Sequence, residues 1–213
     1  IGNSEDPETP APPLKGKFLE SFQQMSARLV AAGNAAPPAA GSGVPGTGPR
    51  IADPCGENAP ARGFVPAMPS MMAGAQGAPF EFIAANGRLY IYNVGRQALR
   101  RIYVDGRAHP AADDIVPNLM GHSIGHWERD TLVVDTIGFI RGAIDAQTCH
   151  SDKFHVVERF RMRDRNTIEA VVTLTDDEAL SSPWSSTRIY RRLPDKEILE
   201  PIEASAPTSD RHF

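Results

Sequence analysis

Apolar positions recur at steps of three and four in a single stretch of the chain. Leu14, Phe18, Phe22, Met25 and Leu29, with Leu19 and Val30 beside them, form the stripe of an amphipathic helix that stops at Gly33-Asn34. From Phe80 onward the pattern becomes short runs with alternating sidedness, which is the period of strands. Phe80–Ala85 and Arg88–Val94 flank Asn86-Gly87, a strong hairpin signal. Leu99–Asp105 follows and ends at Gly106, and two further hairpins occupy His122–Thr136 and Phe154–Thr175. Trp184–Leu193 and Lys196–Ile202 make a last pair around Pro194-Asp195. About nine strands in succession, with no helical period between most of them, predict a mainly β fold. The expected form is an antiparallel meander closing into a barrel or strongly curved sheet. Residues 35–79 hold nearly half of the chain's 18 glycines and 19 prolines, so they support neither ladder nor helix. The predicted organisation is an arm and helix over 1–34, a Gly/Pro-rich covering loop over 35–79, a β domain over 80–205 and a tail over 206–213. Met68, Met71 and Met72 suit a loop lying on an apolar surface.

Turn residues fix which side chains share a face. A two-residue loop at Arg129-Asp130 puts Ser123, Gly125, Trp127, Leu132, Val134 and Thr136 on one face of the hairpin. His122, Ile124, His126, Val133 and Asp135 then share the other. A loop at Asp164-Arg165-Asn166 pairs Met162 with Ile168, Phe160 with Ala170 and Val156 with Leu174, and sets Arg161 against Glu169. Glu158 then falls on the apolar face between Val156 and Phe160. A buried carboxylate must find a partner or do chemistry. An Arg or His from another strand is the plain solution; a general acid or base facing the interior is the functional one. His155 falls on the opposite face beside Arg159 and Arg161, where solvent is the expected surrounding. The Asn86-Gly87 register groups Glu81, Ile83, Tyr90 and Tyr92.

Composition narrows the classes. The 213 residues carry 22 basic and 26 acidic side chains, a net charge of −4, which lacks the basic excess of a nucleic-acid protein. No apolar run approaches the ~20 residues of a membrane helix. Cys55 and Cys149 belong to no CxxC pair, and fit one disulfide in an oxidising compartment or two thiols in a reducing one. The first residue is Ile1 rather than Met, which suits an exported protein whose signal has been removed. His122 and His126 lie four apart, roughly 13 Å along a strand, too far for one metal without a bulge. Gly121-His122-Ser123-Ile124-Gly125 spells a nucleophile elbow, but it continues into a hairpin instead of opening a helix. No phosphate loop or dinucleotide fingerprint occurs. The pairs Arg100-Arg101 and Arg191-Arg192 read as solvated strand faces, with binding of an acidic substrate as the alternative.

The strings RRIYVDGRAH (100–109), GHSIGHWERDTLVVDTIGF (121–139) and HVVERFR (155–161) resemble a group of uncharacterised, predicted exported bacterial proteins over roughly residues 80–200. The resemblance implies export and a β-rich domain, and says nothing of chemistry. Arg129 stands where that group has glycine in a W-E-G-D-T turn. The expected function is a periplasmic or secreted enzyme performing cofactor-independent acid–base chemistry on a small organic molecule held in the barrel. Lyase, isomerase and hydrolase are the candidate classes. Glu158 would transfer the proton, with Asp135 orienting His122 as the second acid or base, while Tyr90, Trp127 and His126 contact substrate. No metal, nucleic acid or membrane span is expected, and a homodimer is admitted. The alternative is a non-catalytic periplasmic binding protein in which Glu158, paired to an arginine, only orients the ligand. A third reading makes the Met-rich loop a contact surface for another protein.

Overall fold

The computed structural model describes residues 2–4, 11–31, 79–93, 98–118, 120–143 and 149–194. Its elements are β1 (Gly2–Ser4), α1 (Gly16–Ala31), β2 (Phe80–Ala85), β3 (Arg88–Asn93), β4 (Ala98–Tyr103), β5 (His122–Glu128) and β6 (Thr131–Ile137). There follow β7 (Gly142–Ala143), β8 (Cys149–His150), β9 (His155–Asp164), β10 (Thr167–Thr175) and β11 (Trp184–Arg191). The main sheet runs β1-β11-β10-β9-β6-β5-β4-β3-β2 and curls into a half-barrel, while β7 and β8 pair separately. The strongly curved sheet is thus the form adopted, and β1 and β2 are its edges among the described residues. The covering loop with Cys55 and its methionines lies outside the described residues apart from Pro79, as do the Lys196–Ile202 strand and the tail.

The registers follow the turn chemistry. Asn86 and Gly87 both have positive φ (47° and 72°), the type I′ pattern, and pair Ile83 with Tyr90 and Glu81 with Tyr92. At the β5–β6 turn Arg129 has φ 57°, with Glu128 opposite Thr131 and Trp127 opposite Leu132. Positive φ at the first loop residue alone is the type II′ pattern, whose natural occupant is glycine. The β9–β10 turn differs slightly from expectation. Asp164 pairs with Thr167 and the register shifts before Ile168, so Asn166 is not asked for a positive φ. The pairs Met162–Ile168, Phe160–Ala170 and Arg161–Glu169 hold as the pattern predicts.

Among the described residues every pairing of the main sheet is antiparallel but one. β4 and β5 are parallel, Ile102 opposite Ser123 and Tyr103 opposite Ile124. Parallel neighbours cannot be joined by a tight turn, so the chain from Val104 to Gly121 must cross a face of the sheet. This crossover is pinned where Asn118 takes the Gly138 carbonyl (3.1 Å) and gives its own to Ile140 N–H (3.0 Å). Two glycines let it pass close. A Cβ on Gly138 (φ 74°) would meet Ile115 Cγ2 at 2.4 Å, and one on Gly121 (φ 64°) would meet the Ile137 carbonyl at 2.8 Å.

One face of the sheet is packed in two apolar clusters. Ile91, Ile102, Leu132, Val134, Phe160, Ala170 and Tyr190 belong to the first. Phe139, Phe154, Val156, Val172 and Leu174 form the second with Leu14 and Phe18 of the α1 region. Leu14, Phe18 and Phe22 of the apolar stripe thus cover one end of the core. Phe18 and Phe22 turn inward as the period requires.

Between the clusters sits a polar knot. Arg100 Nη1 stands 2.5 Å from Glu158 Oε2, with side chains 1% and 0% exposed. Arg100 also donates from Nη2 to Thr136 Oγ1 (2.8 Å) and from Nε to Ser123 Oγ (3.2 Å), and those two hydroxyls lie 2.9 Å apart. Arg100 is therefore not a solvated strand residue. Alternation sends it inward beside Ile102 and leaves Arg101 outside. Glu158 has its arginine.

Candidate functional site

The face opposite the core carries a chain of ring nitrogens and one carboxylate. β5 presents His122 and β6 presents Asp135, in the register that pairs Ile124 with Asp135. β9 presents His155, two residues before Val157, which is opposite Asp135. The crossover brings His109. Asp135 Oδ1 lies 3.0 Å from His109 Nε2 and 3.0 Å from His155 Nε2. His109 Nδ1 is 2.9 Å from His122 Nδ1, and Thr175 Oγ1 is 3.4 Å from His155 Nδ1. The sequence reading placed His155 in solvent; instead Asp135 holds it half-buried.

Two proton arrangements satisfy every contact, one with His109 as an imidazolium that donates Nδ1–H to His122 and one with His109 neutral, and the relay takes the second. An ionised Asp135 accepts Nε2–H from both His109 and His155. Neutral His109 then has a bare Nδ1, which accepts the Nδ1–H of His122. That tautomer leaves Nε2 of His122 with its lone pair. His155, hydrogen-bonded to Asp135, is held above the ordinary histidine value, and its bond to Asp135 holds that carboxyl below the usual carboxylate range. His122 is pushed down by burial first, then by His109 whenever that ring is protonated, and by the charge of Arg107. The relay therefore keeps its acid end ionised and its far imidazole neutral near pH 7.

His122 lines a cleft of about 380 Å³ between β4 and the crossover, a volume within the range of small-molecule sites. Tyr103 stacks on the His122 ring, centroids 5.3 Å apart. Arg101 Nη1 donates to Tyr103 Oη (3.3 Å), and the Arg107 guanidinium lies 4.0 Å from the Tyr103 ring centre. The bond from Arg101, then the charges of Arg101, Arg107 and Arg88, lower the Tyr103 phenol from its ordinary value.

The residues singled out from sequence divide between the two faces. His122 and Asp135 are brought together, joined through His109. Glu158 is on the core face, paired to Arg100, and does not meet them. Tyr90 lies beside this cluster, its ring 6.0 Å from Arg101, without lining the cleft. His126 is exposed further along β5 and contacts Glu128 at 3.3 Å. Trp127 stands on the core side, 65% exposed at the strand's end. β5 runs without a bulge, so His122 and His126 stay apart, and among the described residues no group of three His, Cys, Asp or Glu is placed to hold a metal ion. His109, His155, Tyr103 and Arg101 were not read as site residues. The signal that could have found His109 is the length of 104–121, too long for a hairpin between strands. Comparison with protein-family models, curated proteins and solved structures finds no match to this chain.

Proposed function

We propose that the protein is an enzyme of acid–base chemistry on a small organic molecule bound in the cleft of the crossover, with His122 as the general base. The observation that carries this is the unbroken path Asp135–His109–His122, which ends on a cleft-lining imidazole kept neutral near pH 7. A carboxylate that fixes the tautomer of one imidazole, and through it the next, strengthens the last ring as a proton acceptor. Asp135 and His109 are positioning residues in this reading. Proton abstraction from carbon and activation of a water both fit, which keeps isomerase, lyase and hydrolase as classes. Export belongs to the same proposal. Cys149 is 1% exposed, and no described cysteine is a free thiol. Cys55, the only other cysteine in the chain, would be its partner.

The test compares intact protein with His122→Asn. The probes are a panel of small oxo-acids incubated in D2O, read by deuterium uptake, and 4-nitrophenyl esters, read by absorbance. The proposal expects exchange or hydrolysis that falls by about 10²–10⁴ in the variant, the usual worth of a positioned base. Ligand capture with equal, background turnover by both proteins would favour the second reading, a binding protein. That reading draws on one observation, the pairing of Glu158 with Arg100, which takes this carboxylate out of chemistry.

A further inference from the structure

The cleft is lined by two unlike kinds of side chain. Leu99, Ile115 and Val116 are apolar, and Leu99 and Val116 stay 54% and 81% exposed although they are large. Arg101, Tyr103 and His122 are polar, and Arg101 and Tyr103 alternate with Leu99 on one face of β4. Three arginines gather round Tyr103, and they are not equivalent. Arg107 is neutralised by a forked pair with Asp105, whose closest contact is 2.6 Å. Arg88 and Arg101 pair with no carboxylate among the described residues; their contacts there are to tyrosine. Asp114 also lines the cleft and is the one acid that borders it, among the described residues. A guanidinium and a phenol side by side make a fork of donors that suits an oxyanion, and exposed aliphatic side chains beside it suit hydrocarbon.

We propose that the cleft binds an organic anion, its carboxylate or phosphate group on Arg101 and Tyr103 and its apolar body against Leu99, Ile115 and Val116. This rests on the reading of the cleft as the substrate site of His122 and names the substrate class for it. An anion held there lies next to an imidazole that is neutral near pH 7, so the base is not consumed by a salt bridge with the substrate.

The probes are hexanoate, hexyl phosphate and hexanol, each titrated into the full-length protein at pH 7.5 by ligand-observed NMR and calorimetry. The expected result is that one or both anions bind at least tenfold more tightly than hexanol, the stronger of the two identifying carboxylate or phosphate as the group read. Arg101→Gln should lose that preference, and Arg165→Gln, in the distant β9–β10 turn, should keep it. Binding of hexanol as tight as that of both anions, or an unchanged preference in Arg101→Gln, overturns the proposal. The His122→Asn variant separates the two ideas. If it keeps the anion preference and still turns substrate over, the anion site stands and the base reading fails. If the wild-type protein shows no anion preference while His122→Asn loses turnover, the base stands and the anion site fails.

Discussion

The Nδ1 atoms of His109 and His122 stand 2.9 Å apart, a contact between a residue of the crossover and a residue of the strand that the crossover enters. Because His109 reaches Asp135 with its other nitrogen, this one contact ties the cleft to the carboxylate on the neighbouring strand. His109→Phe keeps the ring's bulk and removes both nitrogens. It should lower turnover by about 10²-fold, through loss of the tautomer that frees Nε2 of His122. His109→Gln, with one donor and one acceptor, should recover part of it. Equal rates for His109→Phe and the wild type would show that the relay does no chemistry.

The pH dependence has a definite sign. Below about 6.5 an unperturbed histidine becomes protonated. His122 lies lower than that, so kcat/KM should fall on an acidic limb placed below pH 6.5. A limb above pH 7 would assign the base to another group.

Stability carries the opposite dependence through His155. Its pKa is raised by Asp135, so the extra stability of the pair is fully present below about 6.5 and is lost as pH rises through the folded value. Asp135 is lowered, so its share is present above about 4 and is lost as pH falls further. Between those limits, at pH 5.5, Asp135→Asn should cost more in urea midpoint than at pH 8.5. An equal cost at both would mean that His155 is not charged in the pair.

Glu158→Gln should unfold the protein more easily without touching the chemistry. Breaking a buried ion pair by removing one partner costs about 3–5 kcal/mol, because Arg100 is left with an uncompensated charge. Among molecules that remain folded, turnover per site should be unchanged. Replacing both, Arg100→Met with Glu158→Leu, should recover most of the stability, as buried pairs often give way to apolar groups at little cost. Chemical denaturation with a parallel activity assay decides it.

Arg129→Gly is the expected stabilising change. A left-handed conformation costs a non-glycine residue about 1–2 kcal/mol, and glycine gives back some of that in chain entropy, leaving a gain of about 0.5–1 kcal/mol. A higher denaturant midpoint with unchanged slope is the result to look for.

How much of this could be read beforehand follows from how local each signal is. Hairpin registers were legible because Asn86-Gly87 and Arg129-Asp130 act over two residues, and alternation then carries the faces along each strand. The same alternation held the answer for Arg100, two positions from Ile102 on the core face, but a pair of adjacent arginines read as one solvated unit. The partner of Glu158 and the order β4-β5 depend on strands far apart in sequence, which no turn encodes. The two inner hairpins also join so that Thr136 faces Val156, which puts Glu158 on the side away from His122. His109 became a site residue only through the parallel pairing that sends its segment across the sheet.

The most direct test needs no substrate. Long-range ¹H–¹⁵N NMR on the side chains of His109, His122 and His155, followed from pH 4.5 to 8.5, reads tautomer and titration together. The relay predicts His122 as the Nδ1–H tautomer titrating below 6.5 and His155 titrating above it, with His155 moving back toward 6.5 in Asp135→Asn and His122 staying below it. An Nε2–H tautomer for His122, or a His155 titration that ignores Asp135→Asn, would contradict the account.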